Sequence, residues 1–538
     1  VVSGEGSITK KGTGTLNLVA NNTYAGGTFV EGGTLALSSR EVSGVHTTPL
    51  GSGALTMGVD GSSSTELLLS SGTQIGNDIT LNGAVSVAMG IELQYLVVGG
   101  GGGGGAWVGG GGGGGGVLTG TQVAAGGSYT VTVGAGGTGT INDQNMSGPR
   151  LQSTSSAGGS SSVFGVTALG GGHGGSWTKD RASSGASSGG QGYSYAAVPG
   201  TEGQGYAGGS GLGNSSYGYP TGGGGGAGGA GQSWSMTSGT TAKSGDGGVG
   251  VEVVWAGLAG YGDPNYAGWF GGGGGGGVHG YGRSGTTQAA AGTGGKGGGG
   301  DGKQGGGSDG RTTNQPVGDS GAANTGGGGG GSGNAGNQYS RGGDGGTGLV
   351  LIRYAGPTAA SGGDVIDDNT TVAGYTYHAF TSTGSTTFSI DSMSAALTGT
   401  ISGTGSLDVN AEGGILTVTG TNTYEGATKI SAGTLSVSNL ASGGTNSAIG
   451  KSDSSAANLQ LAGGMLEYTG TDATIDRNFT IAGNAASKIS VTESGTTLTL
   501  TGASSGGTGG LEKAGAGTLE LSGNHSYSGS TLVSGGTL

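Results

Sequence analysis

The 538-residue chain contains 146 Gly, 7 Pro and no Cys, and only 9% of its residues are charged. Its 18 basic and 31 acidic residues leave a net charge of −13, which excludes the basic stripe that nucleic acid requires, and the missing Cys excludes disulfides, thiolate catalysis and Cys-ligated zinc. Scarce Pro without a strict every-third Gly excludes a collagen helix, and no run of about 18 apolar residues offers a membrane span. Val1-Val2-Ser3-Gly4 is no signal peptide, so export would be encoded outside this segment.

In chain order, residues 1–90 open the reading with short alternating segments. Gly12-Thr13-Gly14-Thr15-Leu16-Asn17-Leu18 predicts a strand of period two, and Asn22-Thr23-Tyr24 and Gly32-Gly33 punctuate it as turns. Helical periodicity is absent. Short strands recurring between Gly and Asn turns fit an all-β fold, a right-handed parallel β-solenoid, with Leu16 and Leu18 inward and Thr15 and Asn17 outward. A β-sandwich is the alternative.

Residues 91–357 change character. Between 91 and 361 there are 98 Gly in 271 positions, which leaves 48 in the 267 flanking positions, and the same stretch is nearly neutral while the flanks are acidic. All five Trp lie there. Uninterrupted tracts run over 99–105, 109–116, 222–226, 271–277 and 326–331. Alone they would read as flexible linkers. Two features oppose that. Apolar strands frame the tracts at Tyr95-Leu96-Val97-Val98, Tyr129-Thr130-Val131-Thr132-Val133 and Leu349-Val350-Leu351-Ile352-Arg353-Tyr354, and the phrase Gly245-Asp246-Gly247-Gly248 returns as Gly343-Asp344-Gly345-Gly346. The ordered option is a polyglycine II helix bundle, whose side-chain-free backbones approach closely enough to pair N–H with C=O between neighbours. Gly loses more backbone entropy on ordering than any other residue, so many tracts must pack together.

Residues 358–390 predict a β-hairpin connector. Residues 391–538 return to the opening pattern, with Gly515-Ala516-Gly517-Thr518-Leu519-Glu520-Leu521, Tyr527 and Gly535-Gly536-Thr537-Leu538 matching 1–35 without a gap at an offset of 503, and a further copy around Asn422-Thr423-Tyr424. That offset suits a tandem array of units about that long, or two ordinary repeats of one chain.

Ala396-Leu397-Thr398-Gly399-Thr400-Ile401-Ser402-Gly403, Leu511-Glu512-Lys513-Ala514-Gly515 and Gly26-Gly27-Thr28-Phe29-Val30-Glu31-Gly32-Gly33-Thr34-Leu35 resemble the passenger-associated repeat of bacterial autotransporters. That resemblance, over about 1–90 and 391–538, implies a β-helical passenger that is extracellular or on the bacterial cell surface. The translocating barrel expected at that family's C-terminus is missing, which suggests an excerpt of something longer. Leu96-Val97-Val98 before seven Gly, and Gly345-Gly346-Thr347-Gly348-Leu349-Val350-Leu351, resemble the opening and closing phrases of the glycine-rich domain of phage tail adhesins and receptor-kinase ectodomains. The resemblance implies hexagonally packed polyglycine II helices, with receptor recognition in the tip loops of the phage members. Gly374-Tyr375-Thr376-Tyr377-His378 through Phe388 resembles the hairpin that accompanies such domains.

Enzyme signatures fail one by one. Gly185-Ala186-Ser187-Ser188-Gly189 and Gly306-Gly307-Ser308-Asp309-Gly310 match G-x-S-x-G, as a Gly/Ser-rich chain does by chance. Gly450-Lys451-Ser452 lacks the earlier Gly of a phosphate-binding loop, and the five His are scattered. Asp246 and Asp344 suggest Asp-Gly turns rather than calcium sites. No catalytic residue, cofactor or metal is expected.

The one constellation with binding chemistry is aromatic. Trp255, Tyr261, Tyr266, Trp269 and Phe270 fall within sixteen residues around Asp263-Pro264-Asn265, and Tyr193, Tyr195, Tyr206, Tyr217 and Tyr219 form a second group. Such rings either present rigid contacts to a glycan or protein receptor on a host or neighbouring cell, or close the sides of the bundle. The expected role is a non-enzymatic structural or adhesive surface protein, whose other partners are repeats of its own chain or further copies assembled into a fibre.

Overall fold

A computed structural model describes residues 1–18, 22–37, 41–42, 45–46, 49–58, 64–142, 151–177, 181–238, 241–255, 260–279, 289–305, 316–333, 339–355, 359–368, 375–391, 393–483 and 486–538. Among these the chain is all-β: strands and extended segments are joined by two single 3₁₀ turns, Ser215–Tyr217 and Ala456–Asn458. It forms two units, one of Val1–Ile91, Val123–Gly127 and Ile390–Leu538, the other of Glu92–Gln122 and Ser128–Ser389.

The first unit is a stack of parallel ladders of the solenoid kind. Thr15–Leu18, Gly33–Leu37, Thr65–Leu69 and Ala84–Met89 pair in succession, and the ladder continues with Ser406–Val418, Thr428–Val437, Met465–Tyr468, Ser487–Val491 and Leu511–Ala514. Alternation places one column of apolar residues in register through the stack. Leu35 pairs with Leu67, Leu67 with Val87, Val87 with Val409 and Val409 with Ile430, and all five are buried. Each coil's apolar face is therefore closed by its neighbours rather than by its own residues. A second ladder behaves alike, with Ile79 opposite Ile401, Thr80 opposite Ser402 and Leu81 opposite Gly403. Residues 322 positions apart in the chain are thus adjacent rungs, and the same offset holds at Gln74–Ile75, Ile79–Leu81 and Ala84–Ala88.

The Asn-Thr-Tyr phrases do more than turn the chain. Asn422 Oδ1 accepts the Ile401 amide at 2.9 Å while Nδ2 donates to the Ala448 carbonyl at 3.0 Å, which ties three successive coils. Asn22 repeats this with the Val2 amide and the Pro49 carbonyl, at 2.7 and 2.6 Å. The adjoining tyrosines pair with threonines four residues on, as Tyr24–Thr28, Tyr424–Thr428 and Tyr527–Thr531, at 2.5–2.6 Å. Lys10 donates to the carbonyls of Lys11, Gly12 and Gly32, and Lys513 donates to those of Ala514, Gly515 and Gly535. The Tyr–Thr pair and the three-carbonyl lysine therefore recur at the offset of 503, while Asn22 gives way to His525.

In the second unit, Ile91–Val98 pairs antiparallel with Leu349–Ala355, which pairs with Tyr375–Phe380. The hairpin lies one strand earlier than the sequence phrase indicates. Tyr375–Phe380 takes Asp364–Asp368 as its partner, while Gly384–Ile390 joins a different sheet with Gly127–Val133. A continuous apolar face on Leu349–Ala355 favours a central position between two partners, and that draws Tyr375–Phe380 away from the strand that follows it.

Between these sheets run the glycine tracts, and their hydrogen bonds follow a period of three. Gly99, Gly102 and Gly105 donate to Gly116, Gly113 and Gly110; Gly100 and Gly103 donate to Gly159 and Ser156; Gly101 and Gly104 donate to Gly346 and Gly343, all at 2.9–3.0 Å. The same tract accepts from Gly137 and Thr140, from Gly171 and Gly174, and from Gly329 and Ser332. One tract thus has six neighbouring segments, three taking its protons and three supplying theirs. A Cβ on Gly112 would stand 2.1 Å from the Gly102 carbonyl oxygen, and one on Gly102 would stand 2.1 Å from that of Gly172. Backbone pairing replaces side-chain packing because nothing larger than hydrogen fits.

Gly112→Ala is accordingly expected to destabilise the second unit by about 3 kcal/mol, at the upper end of overpacking costs, because the obstructing atoms are backbone. Gly14→Ala, where a Cβ would meet nothing within 4 Å, is expected to melt like the wild type; differential scanning calorimetry checks both.

Candidate binding groove

The first aromatic group sits on a folded-back loop. Val251–Glu252 pairs antiparallel with Trp269–Phe270, and inside that frame Gly262–Asp263 pairs with Tyr266–Ala267. Asp263 fixes the tip. Its Oδ1 accepts the Asn265 amide at 2.8 Å, and its Oδ2 accepts the amides of Gly297 and Gly298 at 2.8 and 2.9 Å. One buried carboxylate thus clamps the aromatic loop to a Gly-Gly turn more than thirty residues on. Only Gly suits that turn readily, since Gly297 and Gly298 hold φ of +103° and +87°.

This frame divides the five aromatic residues. Phe270 is fully buried in a cluster with Leu96, Val98, Val253, Leu349, Leu351 and Ala379, and Trp255 and Tyr261 pack against that cluster. Arg353 lies over the Trp255 ring at 4.3 Å and over Tyr375 at 4.6 Å, and it donates to Gln94 Oε1 and the Tyr377 hydroxyl. Burial, then the negative charge of Asp364, pushes the Tyr261 hydroxyl above its ordinary pKa. These three rings close the side of the glycine lattice, where apolar area is needed. Tyr266 and Trp269 stand apart from them. Tyr266 is 46% exposed, and Lys296 Nζ sits 4.7 Å from its ring centre and 5.4 Å from that of Trp269.

Beside Tyr266 opens a groove of about 320 Å³, lined by Asp263, Tyr266, Lys296, Asp301 and Asp319 together with Gly294–Gly295 and Gly298–Gly300. Asp301 Oδ1 accepts the Gly294 amide at 2.7 Å, and Asp319 Oδ2 accepts Lys303 Nζ at 2.6 Å. Lys296, Asp301 and Asp319 escaped the sequence reading because they lie on separate segments that only the inter-tract pairing brings together; the one cue was Asp263-Pro264-Asn265 beside the aromatics.

The second aromatic group is partly assembled. Trp177 makes edge contacts with Tyr193 and Tyr219 at 5.0 and 4.9 Å and stacks on Trp107 at 5.7 Å, and Arg181 covers Tyr195 at 4.4 Å. Tyr217 packs instead on Ala242, Val278 and Ala289, and Tyr206 stands half exposed. Trp107, Val108 and Tyr219 adopt φ of 52°, 64° and 52°, a region costly for side chains and most so for β-branched Val108.

The remaining motifs have structural occupations. Ser187 is fully buried within the glycine lattice, which removes it as a nucleophile, and Ser308 lies outside the described residues. Lys451 pairs with Glu425 at 3.1 Å and Ser452 accepts from the buried Arg477. Asp246 and Asp344 are cross-tract clamps rather than turn formers. Asp246 holds Lys243 at 2.6 Å and the Thr293 amide at 2.8 Å, and Asp344 holds Arg341 at 2.6 Å and the Gly139 amide at 2.8 Å.

The sequence comparisons fit this architecture. The profile of the passenger-associated-transport-repeat matches residues 8–37, 409–437 and 511–538, all within the first unit. The profile of the glycine-rich domain matches residues 77–355, more than half of the chain, and the protein belongs to that family. Together they make it an autotransporter passenger segment with a glycine-rich domain, displayed on the bacterial cell surface. The adhesin BmaC autotransporter of Brucella suis biovar 1 (strain 1330) is 54% identical over 115 residues, 21% of this chain and 3% of that protein's length. No solved structure matches.

Two outcomes test the clamps. Asp263→Ala leaves the Gly297 and Gly298 amides without their acceptor, so a loss of about 1–3 kcal/mol and faster exchange of those two amides are expected. Burial alone raises the pKa of Asp246, but its bonds from Lys243 and Thr293 outweigh this and hold it below the ordinary carboxylate range. Its stabilisation is therefore complete above about pH 4 and lost as pH falls through the depressed folded value. The melting-temperature gap between wild type and Asp246→Asn is expected to narrow from pH 7 to pH 3.

Proposed function

We propose that this segment is a non-enzymatic, adhesive part of an autotransporter passenger, a right-handed β-solenoid shaft carrying a polyglycine II module that makes the contacts. The observation carrying this reading is the unbroken register between Ile79–Leu81 and Ile401–Gly403. A shaft that keeps its rungs paired across an inserted domain is a carrier with a grafted function. The three-residue period of inter-tract bonds and the six neighbours of 99–105 support threefold glycine rods, which have about 3.1 Å rise and no internal hydrogen bonds. The relative's description as an adhesin supports the adhesive role. The exposed Tyr266 beside Trp269 and Lys296 favours contact through residues 260–270 and 294–301 over pure scaffolding.

The test is adhesion of beads coated with the whole segment to epithelial cells and to abiotic surfaces. Tyr266→Ala with Trp269→Ala is expected to cut cell adhesion at least tenfold, with amides of 99–116 still strongly protected from exchange. Undiminished adhesion would assign the contact elsewhere, and exchange in 99–116 as fast as in an unstructured peptide would remove the ordered rods.

A further inference from the structure

We propose that the groove beside Tyr266 is a binding site for the terminal one or two sugars of a neutral glycan. This rests on the adhesive reading above and names the chemistry that the site selects.

The walls differ in kind. One is the exposed Tyr266 ring, a flat apolar surface suited to the C–H face of a pyranose. Asp301 and Asp319 line the same groove. Each carboxylate can accept about four hydrogen bonds, and the protein bonds described for them engage one oxygen apiece, through the Gly294 amide and Lys303 Nζ. Sugar hydroxyls are donors of the right type for the remaining lone pairs. Lys296 supplies a donor for a ring or glycosidic oxygen from its place above the aromatic rings.

The floor is built of glycine for a geometric reason. A Cβ on Gly294 would lie 2.0 Å from the Gly299 carbonyl oxygen, one on Gly299 2.1 Å from that of Gly273, and one on Gly300 2.0 Å from that of Asp319. No side chain can be carried at these positions, so the glycine lining of the groove stays bare backbone. Its volume of about 320 Å³ falls at the lower end of small-ligand pockets, about 300–1,000 Å³, which suits a glycan terminus and not a long chain.

Charge sets the class. Asp263, Asp301 and Asp319 against Lys296 and the Lys303 paired with Asp319 leave the groove one charge negative, so sialylated, uronic or sulfated sugars are disfavoured. A cationic ligand is disfavoured too, because Lys296 already lies over both rings and would repel a second ammonium.

Saturation-transfer NMR on the whole segment tests this with lactose, methyl α-mannoside and N-acetylglucosamine as neutral probes, N-acetylneuraminic acid and glucuronic acid as acidic ones, and spermidine as the cationic one. At least one neutral probe is expected to bind, with the acidic probes and spermidine at least tenfold weaker. Tyr266→Ala is expected to abolish the signal and Asp319→Ala to weaken it at least tenfold, both at wild-type melting temperature. Silence from every neutral probe overturns the proposal, as does equal binding of acidic probes or of spermidine, or neutral binding that survives Tyr266→Ala. If Tyr266→Ala abolishes cell adhesion while no neutral sugar binds, the ligand class is wrong and the adhesive reading stands. If sugar binding is lost but cell adhesion persists, the groove is a lectin site and adhesion resides elsewhere.

Discussion

Every backbone amide in the interior must find an acceptor, and in the second unit that acceptor is mostly other backbone. That requirement dictates the glycine. When a Cβ would stand about 2 Å from a neighbouring carbonyl at position after position, side chains are excluded by the bonds themselves, and the lattice trades hydrophobic burial for hydrogen-bond saturation. The trade has an entropic cost, since Gly is the freest residue in the unfolded chain. Six neighbours per central tract spread that cost over a cooperative array. The few large side chains then go to the margins, where Phe270, Trp255 and Tyr261 seal a flank against Leu349 and Leu351.

The first unit meets the same requirement by regular means. Ladder bonds pair the strands, apolar columns fill the interior, and at the turns buried polar side chains finish what the ladders leave open. Asn422 and Asn22 bridge successive coils, Lys10 and Lys513 gather three carbonyls each, and Arg477 reaches the carbonyls of Ala441 and Gly450. A fully buried arginine finds acceptors enough to stay charged, although burial lowers its pKa.

Much of the β architecture was legible because its causes are local. Thr15-Leu16-Asn17-Leu18 alternates because one face is buried, and Leu349–Ile352 is continuously apolar because it is central. What stayed hidden depends on register between distant segments. The role of Asn22 lies in which coil precedes it, and the clamps of Asp246 and Asp344 lie in which tract passes alongside. The aromatic loop shows both sides. Its composition marks residues 255–270, yet only the fold separates Phe270, sealed in the core, from Tyr266, half in solvent, and only the fold sets Lys296, Asp301 and Asp319 beside it.

The coils at 1–35 and 504–538 share the strand Thr15–Leu18 with Thr518–Leu521, the Tyr–Thr pair and the three-carbonyl lysine. An added or removed stretch of 503 residues would therefore return the chain to a coil with the same lysine cradle and the same Tyr–Thr pair.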